Sequence, residues 1–241
     1  MKKVWVFIFL LVYGVGYSIT GNEVLKKVEE VLTKEKDRES LVEVILYSGD
    51  KVREKREMQV WNAGKDKRVV KFLSPSSVKG IGVLSLPNSE MYVYLPAYKR
   101  VRAIQGSAKD QNFQGTDFSY REIGSFNYSS DFDASIVSED NENYVLELKR
   151  KPNSEITYDR VVMVVSKDSF LPRKLDMFEK GALKKILEIT ETEKKGNYYI
   201  LKRLKMTTLS TKTATEIIVK DVKFDQGLEL KGIFSQRFLE K

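Results

Sequence analysis

Histidine and cysteine are both absent from the 241 residues. Without cysteine there is no disulfide framework, iron–sulfur cluster, thiolate metal site or thiol nucleophile; without histidine there is no Ser-His-Asp triad and no imidazole-ligated metal. An enzyme made from this sequence would work with carboxylates, lysine or tyrosine, whose pKa values need large shifts to serve near neutrality. The composition therefore points toward binding, with no metal and no cofactor expected. No internal stretch is rich in proline or glycine, so the body reads as one domain.

Long apolar runs are equally scarce. The one that stands out is twelve residues, 4–15, preceded by Lys2 and Lys3. That is shorter than the roughly 20 residues a membrane-spanning helix needs, and it matches the apolar region of a secretory signal. Gly16-Tyr17-Ser18 supplies small residues for cleavage after Ser18, which gives a signal peptide over 1–18 and a domain over 19–241. A retained anchor helix is the alternative, and in both cases the body is exported. With no cysteine after the apolar run, the protein is not itself an acylated lipoprotein. Loss of Lys2 and Lys3 lowers the net charge from +8 to +6. The excess reads first as solubility; beyond the cell membrane, anionic headgroups or an acidic partner suit it and nucleic acid does not.

What is present is β-pattern. Thr20-Gly21-Asn22 can cap a helix in which Val24, Leu25, Val28, Val31 and Leu32 recur at helical spacing over 23–34. Beyond residue 39 the period becomes two, with candidate strands at 41–47, 52–61, 68–73, 80–86, 91–95 and 99–104. After a polar connection from 105 to about 128, further candidates are 132–138, 144–149, 158–166, 171–179, 183–193, 198–209 and 215–222. That makes thirteen strands joined by short turns, hence antiparallel neighbours. One helix cannot cover so many strands lying flat, so the sheet curls into a barrel, half-barrel or sandwich.

Alternation sorts the faces. An even hairpin loop between 91–95 and 99–104 sets Tyr92 and Tyr94 beside Val101 and Ala103 and turns Arg100 and Arg102 to the other face. In 68–73, Val70 and Phe72 are expected inward, and Arg68 and Lys71 outward. Glu54 and Arg56 interrupt the apolar face of 52–60, which reads as a partly uncovered strand.

Three linked motifs carry a family likeness. They are Lys71-Phe72-Leu73-Ser74-Pro75-Ser76-Ser77-Val78-Lys79-Gly80-Ile81-Gly82-Val83-Leu84, then Tyr92-Val93-Tyr94-Leu95-Pro96-Ala97-Tyr98-Lys99-Arg100-Val101-Arg102, and, after Gly106-Ser107, Phe113-Gln114-Gly115-Thr116-Asp117-Phe118-Ser119-Tyr120. In this order and spacing they resemble the bacterial outer-membrane lipoprotein-sorting protein family, the group similar to the periplasmic lipoprotein carrier of the Lol pathway. The ending Gly232-Ile233-Phe234-Ser235-Gln236-Arg237-Phe238-Leu239 is compatible with it. The resemblance implies a mainly β fold: a single curled antiparallel sheet forming an unclosed β-barrel, with an N-terminal helix and a lid segment covering a hydrophobic cavity. It also implies a periplasmic carrier that shelters acyl chains for transfer toward the outer membrane. Its partners would be acylated lipoprotein or lipid cargo, an inner-membrane transporter or release complex, an outer-membrane acceptor and, transiently, the membrane surface.

On this reading the cavity and lid residues are Val70, Phe72, Leu84, Tyr92, Tyr94, Val101, Phe113, Phe118 and Tyr120, and Lys99, Arg100 and Arg102 meet headgroups or a partner. The segment 113–120 is open to two readings, a short lid helix or a covering plug. Gly80-x-Gly82 does not open a helix and is no dinucleotide fingerprint. Three other functions remain in view: a soluble accessory of a lipid-exporting transporter, a hydrolase using acids such as Asp110, Asp117 and Glu122, and a structural envelope protein that binds through a sheet edge.

Overall fold

The computed structural model describes residues 18–124 and 127–241; the expected signal peptide therefore lies almost wholly outside the described residues. The first element is helix α1 (Gly21–Leu32). Thr20 and Glu23 close a capping box, in which the Thr20 amide donates to Glu23 Oε2 at 2.7 Å and the Glu23 amide donates to Thr20 Oγ1 at 3.3 Å. The helix ends two residues before the expected limit, at Leu32, with Thr33 as its C-cap. Val24, Leu25 and Val28 on its buried face are fully inaccessible to solvent.

Six strands follow: β1 (Asp37–Ser48), β2 (Lys51–Ala63), β3 (Lys67–Ser74), β4 (Gly82–Leu86), β5 (Glu90–Leu95) and β6 (Arg100–Ala103). A connection holds α2 (Tyr120–Gly124) and α3 (Tyr128–Asp131), preceded by 3-10 turns at Gly106–Asp110 and Phe113–Gly115. Seven strands complete the sheet: β7 (Phe132–Glu139), β8 (Asn143–Arg150), β9 (Arg160–Ser166), β10 (Pro172–Glu179), β11 (Ala182–Lys195), β12 (Tyr198–Thr208) and β13 (Thr213–Phe224). A short helix, α4 (Gln236–Leu239), lies near the C-terminus.

All thirteen strands form one antiparallel sheet in the order β6-β5-β4-β3-β2-β1-β13-β12-β11-β10-β9-β8-β7. Every neighbour is a chain neighbour except β1 and β13, which pair from Arg38↔Phe224 to Ser48↔Thr213. The outer strands β6 and β7 do not pair, so the barrel stays unclosed. A single buried cluster joins α1 to side chains of β1–β5 and of β7–β12. One helix reaches both halves of a thirteen-stranded sheet only if the sheet wraps around it, as accumulated right-handed twist requires beyond about ten strands. The connection from β6 to β7 crosses the remaining gap.

The sheet is apolar on part of its convex face too. Val69, Leu84, Leu228, Ile233 and Leu239 form a second cluster, with Trp61, Tyr92, Tyr94 and Phe238 packed around it. The chain after β13 lies across this face as a strap. Asp37 holds its start, with Oδ1 accepting from the Gln226 amide at 2.6 Å and Oδ2 from the Leu228 amide at 2.9 Å. Phe238 meets the Trp61 ring edge-on at 5.1 Å.

One expectation about strand faces is corrected here. Arg68 shares the parity of Val70 and Phe72 and points inward. β2 is partly uncovered as expected, with Val52 52% exposed near its start, whereas Arg56 is buried beneath the β6–β7 connection and stacks over the Phe72 ring at 5.3 Å. The β5–β6 register does follow the even loop, with Tyr92 opposite Ala103 and Tyr94 opposite Val101.

Candidate functional site

Register sets the inner surface row by row. On β1, β2 and β3 the facing triplets are Val42–Met58–Phe72, then Ser40–Val60–Val70, then Arg38–Asn62–Arg68. The wall continues on the far side through Leu175 of β10, Leu187 of β11, Leu204 of β12 and Ile217 of β13. Between these walls lies a cavity of about 270 Å³, close to the lower end of the roughly 300–1,000 Å³ of small-molecule sites. Its body is lined by aliphatic and Met side chains; polar groups gather at the Arg38–Arg68 row and toward the gap between the sheet edges, where Ser89, Glu90, Lys109 and Asp131 stand.

The β6–β7 connection closes the cavity, and polar anchors hold it down. Asp117 is buried; its carboxylate accepts from the hydroxyls of Thr213 and Thr215 on β13, and its amide donates back to Thr215 Oγ1 at 2.8 Å. Lys185 of β11 donates to the Asp117 carbonyl at 2.8 Å and to Glu122 Oε2 at 3.0 Å. Tyr158 donates to Glu122 Oε1 at 2.6 Å. Burial and that carboxylate push the Tyr158 phenol far above its ordinary pKa, so it stays a donor. From β2, Arg56 donates to the Gln114 carbonyl at 2.7 Å and Arg53 to the Gly115 carbonyl at 3.2 Å. Arg121 grips Asp110 with Nε at 2.7 Å.

At the other end, Glu29 of α1 is fully buried. It accepts from Lys65 Nζ at 3.0 Å, from the Ser129 amide at 2.6 Å and from the Ser129 hydroxyl at 2.8 Å. Arg68 bridges wall and lid, donating to Asn62 Oδ1 at 2.7 Å and to the Ile123 carbonyl at 2.8 Å. Burial, with Arg38 as a neighbouring cation, pulls its guanidinium down to about 9. Burial also pushes the Tyr128 phenol up to about 12.

Of the residues expected at a binding surface, Val70 and Phe118 line the cavity. Phe72 and Phe113 stack on each other with centroids 5.0 Å apart, and Tyr120 meets Phe113 edge-on at 5.3 Å. Together they plug one end of the barrel. The segment 113–120 thus supplies an aromatic plug with one 3-10 turn at Phe113–Gly115, and the helix α2 begins only at its last residue, Tyr120. Leu84, Tyr92 and Tyr94 lie on the convex face under the C-terminal strap, and Val101 shares the face of Tyr94, so these four are not on the cavity wall. Lys99, Arg100 and Arg102 are exposed at the free edge, Lys99 in the left-handed region with φ 49°.

The roles not anticipated from sequence are those of Arg38, Asn62, Tyr158 and Lys185, and that of Glu122 as a lid anchor in place of a hydrolase acid. One of them carries a local signal: Ser119-x-x-Glu122 is a capping-box pattern, and the Ser119 amide does donate to Glu122 Oε2 at 2.6 Å. Asp117 and Glu122 tie the lid to the sheet and Asp110 pairs with Arg121 within the lid, and among the described residues no cluster of acids is placed to hold a metal ion.

A family model described as "Uncharacterized protein"-like matches residues 64–241. The fold is similar to that of a DUF1329-family protein from Desulfovibrio piger, at 26% identity over 91% of this chain and 97% of that one, with a TM-score of 0.84. It is also similar to an outer-membrane lipoprotein-sorting protein domain from Vibrio parahaemolyticus, at 25% identity over 92% and 98% of the two chains, TM-score 0.82. The chain belongs to the family of that model, and it shares its fold with the DUF1329 and lipoprotein-sorting structures. A LolA-superfamily protein from Nitrosomonas europaea shares the fold at 20% identity, over 92% of this chain and 100% of that one, TM-score 0.76. No curated protein sequence matches the chain. No helix among the described residues is long and apolar enough to cross a membrane.

Proposed function

We propose that this protein is a periplasmic carrier that holds acyl chains inside the curled sheet and passes them toward the outer membrane. The observation that carries the reading is the aliphatic cavity between β1–β3 and β10–β13, roofed by a separately anchored connection. An acyl chain in water gains about 0.8 kcal/mol per methylene on burial, so a chain of about ten methylenes gains roughly 8 kcal/mol in such a slot. Loading and release then need movement of the lid and a receiver, with no bond made or broken.

The remaining assignments follow from that role. Residues 1–18 are a cleaved export signal, and 19–241 act as one carrier domain. Its partners are acylated lipoprotein or lipid cargo, an inner-membrane transporter or release complex that loads it, and an outer-membrane acceptor. Lys99, Arg100 and Arg102 on the free edge β6 give a cationic contact for headgroups or for a partner. The likeness to a lipoprotein-sorting domain supports the carrier class. The test is mass spectrometry of a denaturing solvent extract of the protein purified from the periplasm. Acyl-containing molecules in near-stoichiometric amount are expected; an extract without them, from a protein that also fails to bind a fluorescent fatty acid, refutes the proposal.

A further inference from the structure

The rows of the inner wall are not all apolar. Arg38 of β1, Asn62 of β2, Arg68 of β3 and Ser85 of β4 are register partners in a single line across four strands, and all four line the cavity. Cross-strand neighbours stand about 4.5–5.5 Å apart, so the line forms a continuous polar band at one end of a slot whose body is aliphatic. Next along the same strands come Ser40, Val60, Val70 and Val83, where the slot turns apolar.

Two features of the band exceed what holding the fold requires. Ser85 is 5% exposed, and its hydroxyl has no hydrogen-bond partner among the described residues. A buried hydroxyl left without a partner costs stability, and a ligand atom would satisfy it. The second feature is the pair of guanidinium groups, Arg38 and Arg68, set into the wall of one cavity on either side of Asn62. Arg38 meets Glu35 with Nε at 3.3 Å, and Arg68 donates to Asn62 Oδ1 and the Ile123 carbonyl. Positive charge is expensive to keep in an interior, and an apolar pair of similar volume would close the sheet at lower cost.

We propose that the Arg38–Asn62–Arg68–Ser85 band receives the anionic head, a carboxylate or a phosphate, of an acyl ligand whose chain lies in the aliphatic part of the cavity. The inference rests on the carrier reading and narrows it. An arginine pair with amide and hydroxyl neighbours matches the planar or tetrahedral oxygens of such a head. The cavity of about 270 Å³ suits one chain in the closed form. An uncharged head could accept hydrogen bonds from the two guanidinium groups but would lack the charge-assisted pairing.

Isothermal titration calorimetry on the intact protein tests this with dodecanoate, dodecyl phosphate, dodecanol and inorganic phosphate. At least one of the two anionic amphiphiles is expected to bind about tenfold or more tightly than dodecanol, as a charge-assisted pair implies, and which one leads tells carboxylate from phosphate. Arg68→Gln and Arg38→Gln should each weaken the anions more than dodecanol, so that the gap shrinks; Ser85→Ala is the milder variant if an arginine substitution impairs folding. Equal affinity for dodecanol and both anions overturns the proposal and spares the carrier reading. Inorganic phosphate binding as tightly as dodecyl phosphate overturns it as well, by making the band a free-anion site. If no amphiphile binds, both readings fall.

Discussion

Lys185→Met separates the lid from the sheet in a single step. Lys185 Nζ makes contacts of 3.0 and 3.4 Å with the Glu122 carboxylate and 2.8 Å with the Asp117 carbonyl, and its side chain is 11% exposed, as is that of Glu122. Breaking a buried ion pair by removing one partner costs about 3–5 kcal/mol. Here Glu122 keeps two donors, the Tyr158 hydroxyl and the Ser119 amide, which lowers the expected cost to about 2–3 kcal/mol. Because the contacts tie the connection to the sheet and not strand to strand, the loss should appear as easier lid opening. Hydrogen exchange is the assay, following the amides of Asp117, Ser119 and Ile123 against those of β12 and β13. Lid protection is expected to fall about 30- to 150-fold with the strand amides unchanged. A double-mutant cycle with Glu122→Gln should give a coupling of at least about 1 kcal/mol. Equal loss of protection in lid and strands would show that the lid does not open as a unit, and no loss would show that Lys185 does not hold it.

Three further outcomes are expected. Gly21→Ala should destabilise the protein by about 2 kcal/mol or more in urea unfolding, because a Cβ there would stand 2.5 Å from the Ala134 carbonyl oxygen and meet backbone that cannot give way; an unchanged midpoint would contradict the close seating of α1 on β7. Deleting residues 228–241 strips Leu228, Ile233 and Leu239 from the second cluster, each worth about 1.5–3 kcal/mol, so a thermal melt should show a loss on the order of 5 kcal/mol; a truncated chain as stable as the parent would show that the strap does not brace the sheet. Glu35 has its pKa raised by burial, against the pull of Arg38, so the folded state holds its proton more firmly than the unfolded state does. Its contribution is therefore fully present at low pH and is lost as pH rises through the raised value. Glu35→Gln should gain on the parent protein as pH rises above the ordinary carboxylate range, and a stability difference that does not change with pH would refute the assignment.

The sheet is legible in the sequence because alternation is local. Thirteen period-two segments correspond to thirteen strands, and the even loop between β5 and β6 follows from separating Tyr92 and Tyr94 from Arg100 and Arg102. β1 begins earlier than its pattern suggests, at Asp37, since Arg38 and Ser40 occupy inward positions that a polarity pattern assigns to solvent. The face of Tyr92 and Tyr94 is not legible. In β4 and β5 both faces are apolar, one against the cavity and one under the C-terminal strap, so alternation cannot tell inside from outside. The lid anchors are out of reach for a different reason: Asp117 bonds Thr215 across 98 residues and Lys185 across 68, and no local pattern reports such pairs. Polarity alone turns Arg68 outward; it points inward because its acceptors, Asn62 Oδ1 and the lid carbonyl of Ile123, stand on the inner side of the sheet.

The central claim is that an acyl chain lies within the curled sheet, and photo-crosslinking tests it most directly. A fatty acid with a diazirine near its methyl end would be irradiated with the intact protein, and the labelled peptides mapped by mass spectrometry. Adducts are expected on the β10–β13 wall, at Leu175, Leu187, Leu204 or Ile217, and excess unlabelled fatty acid should suppress them. Adducts confined to the Trp61–Phe238 face, or no specific labelling, would contradict the claim.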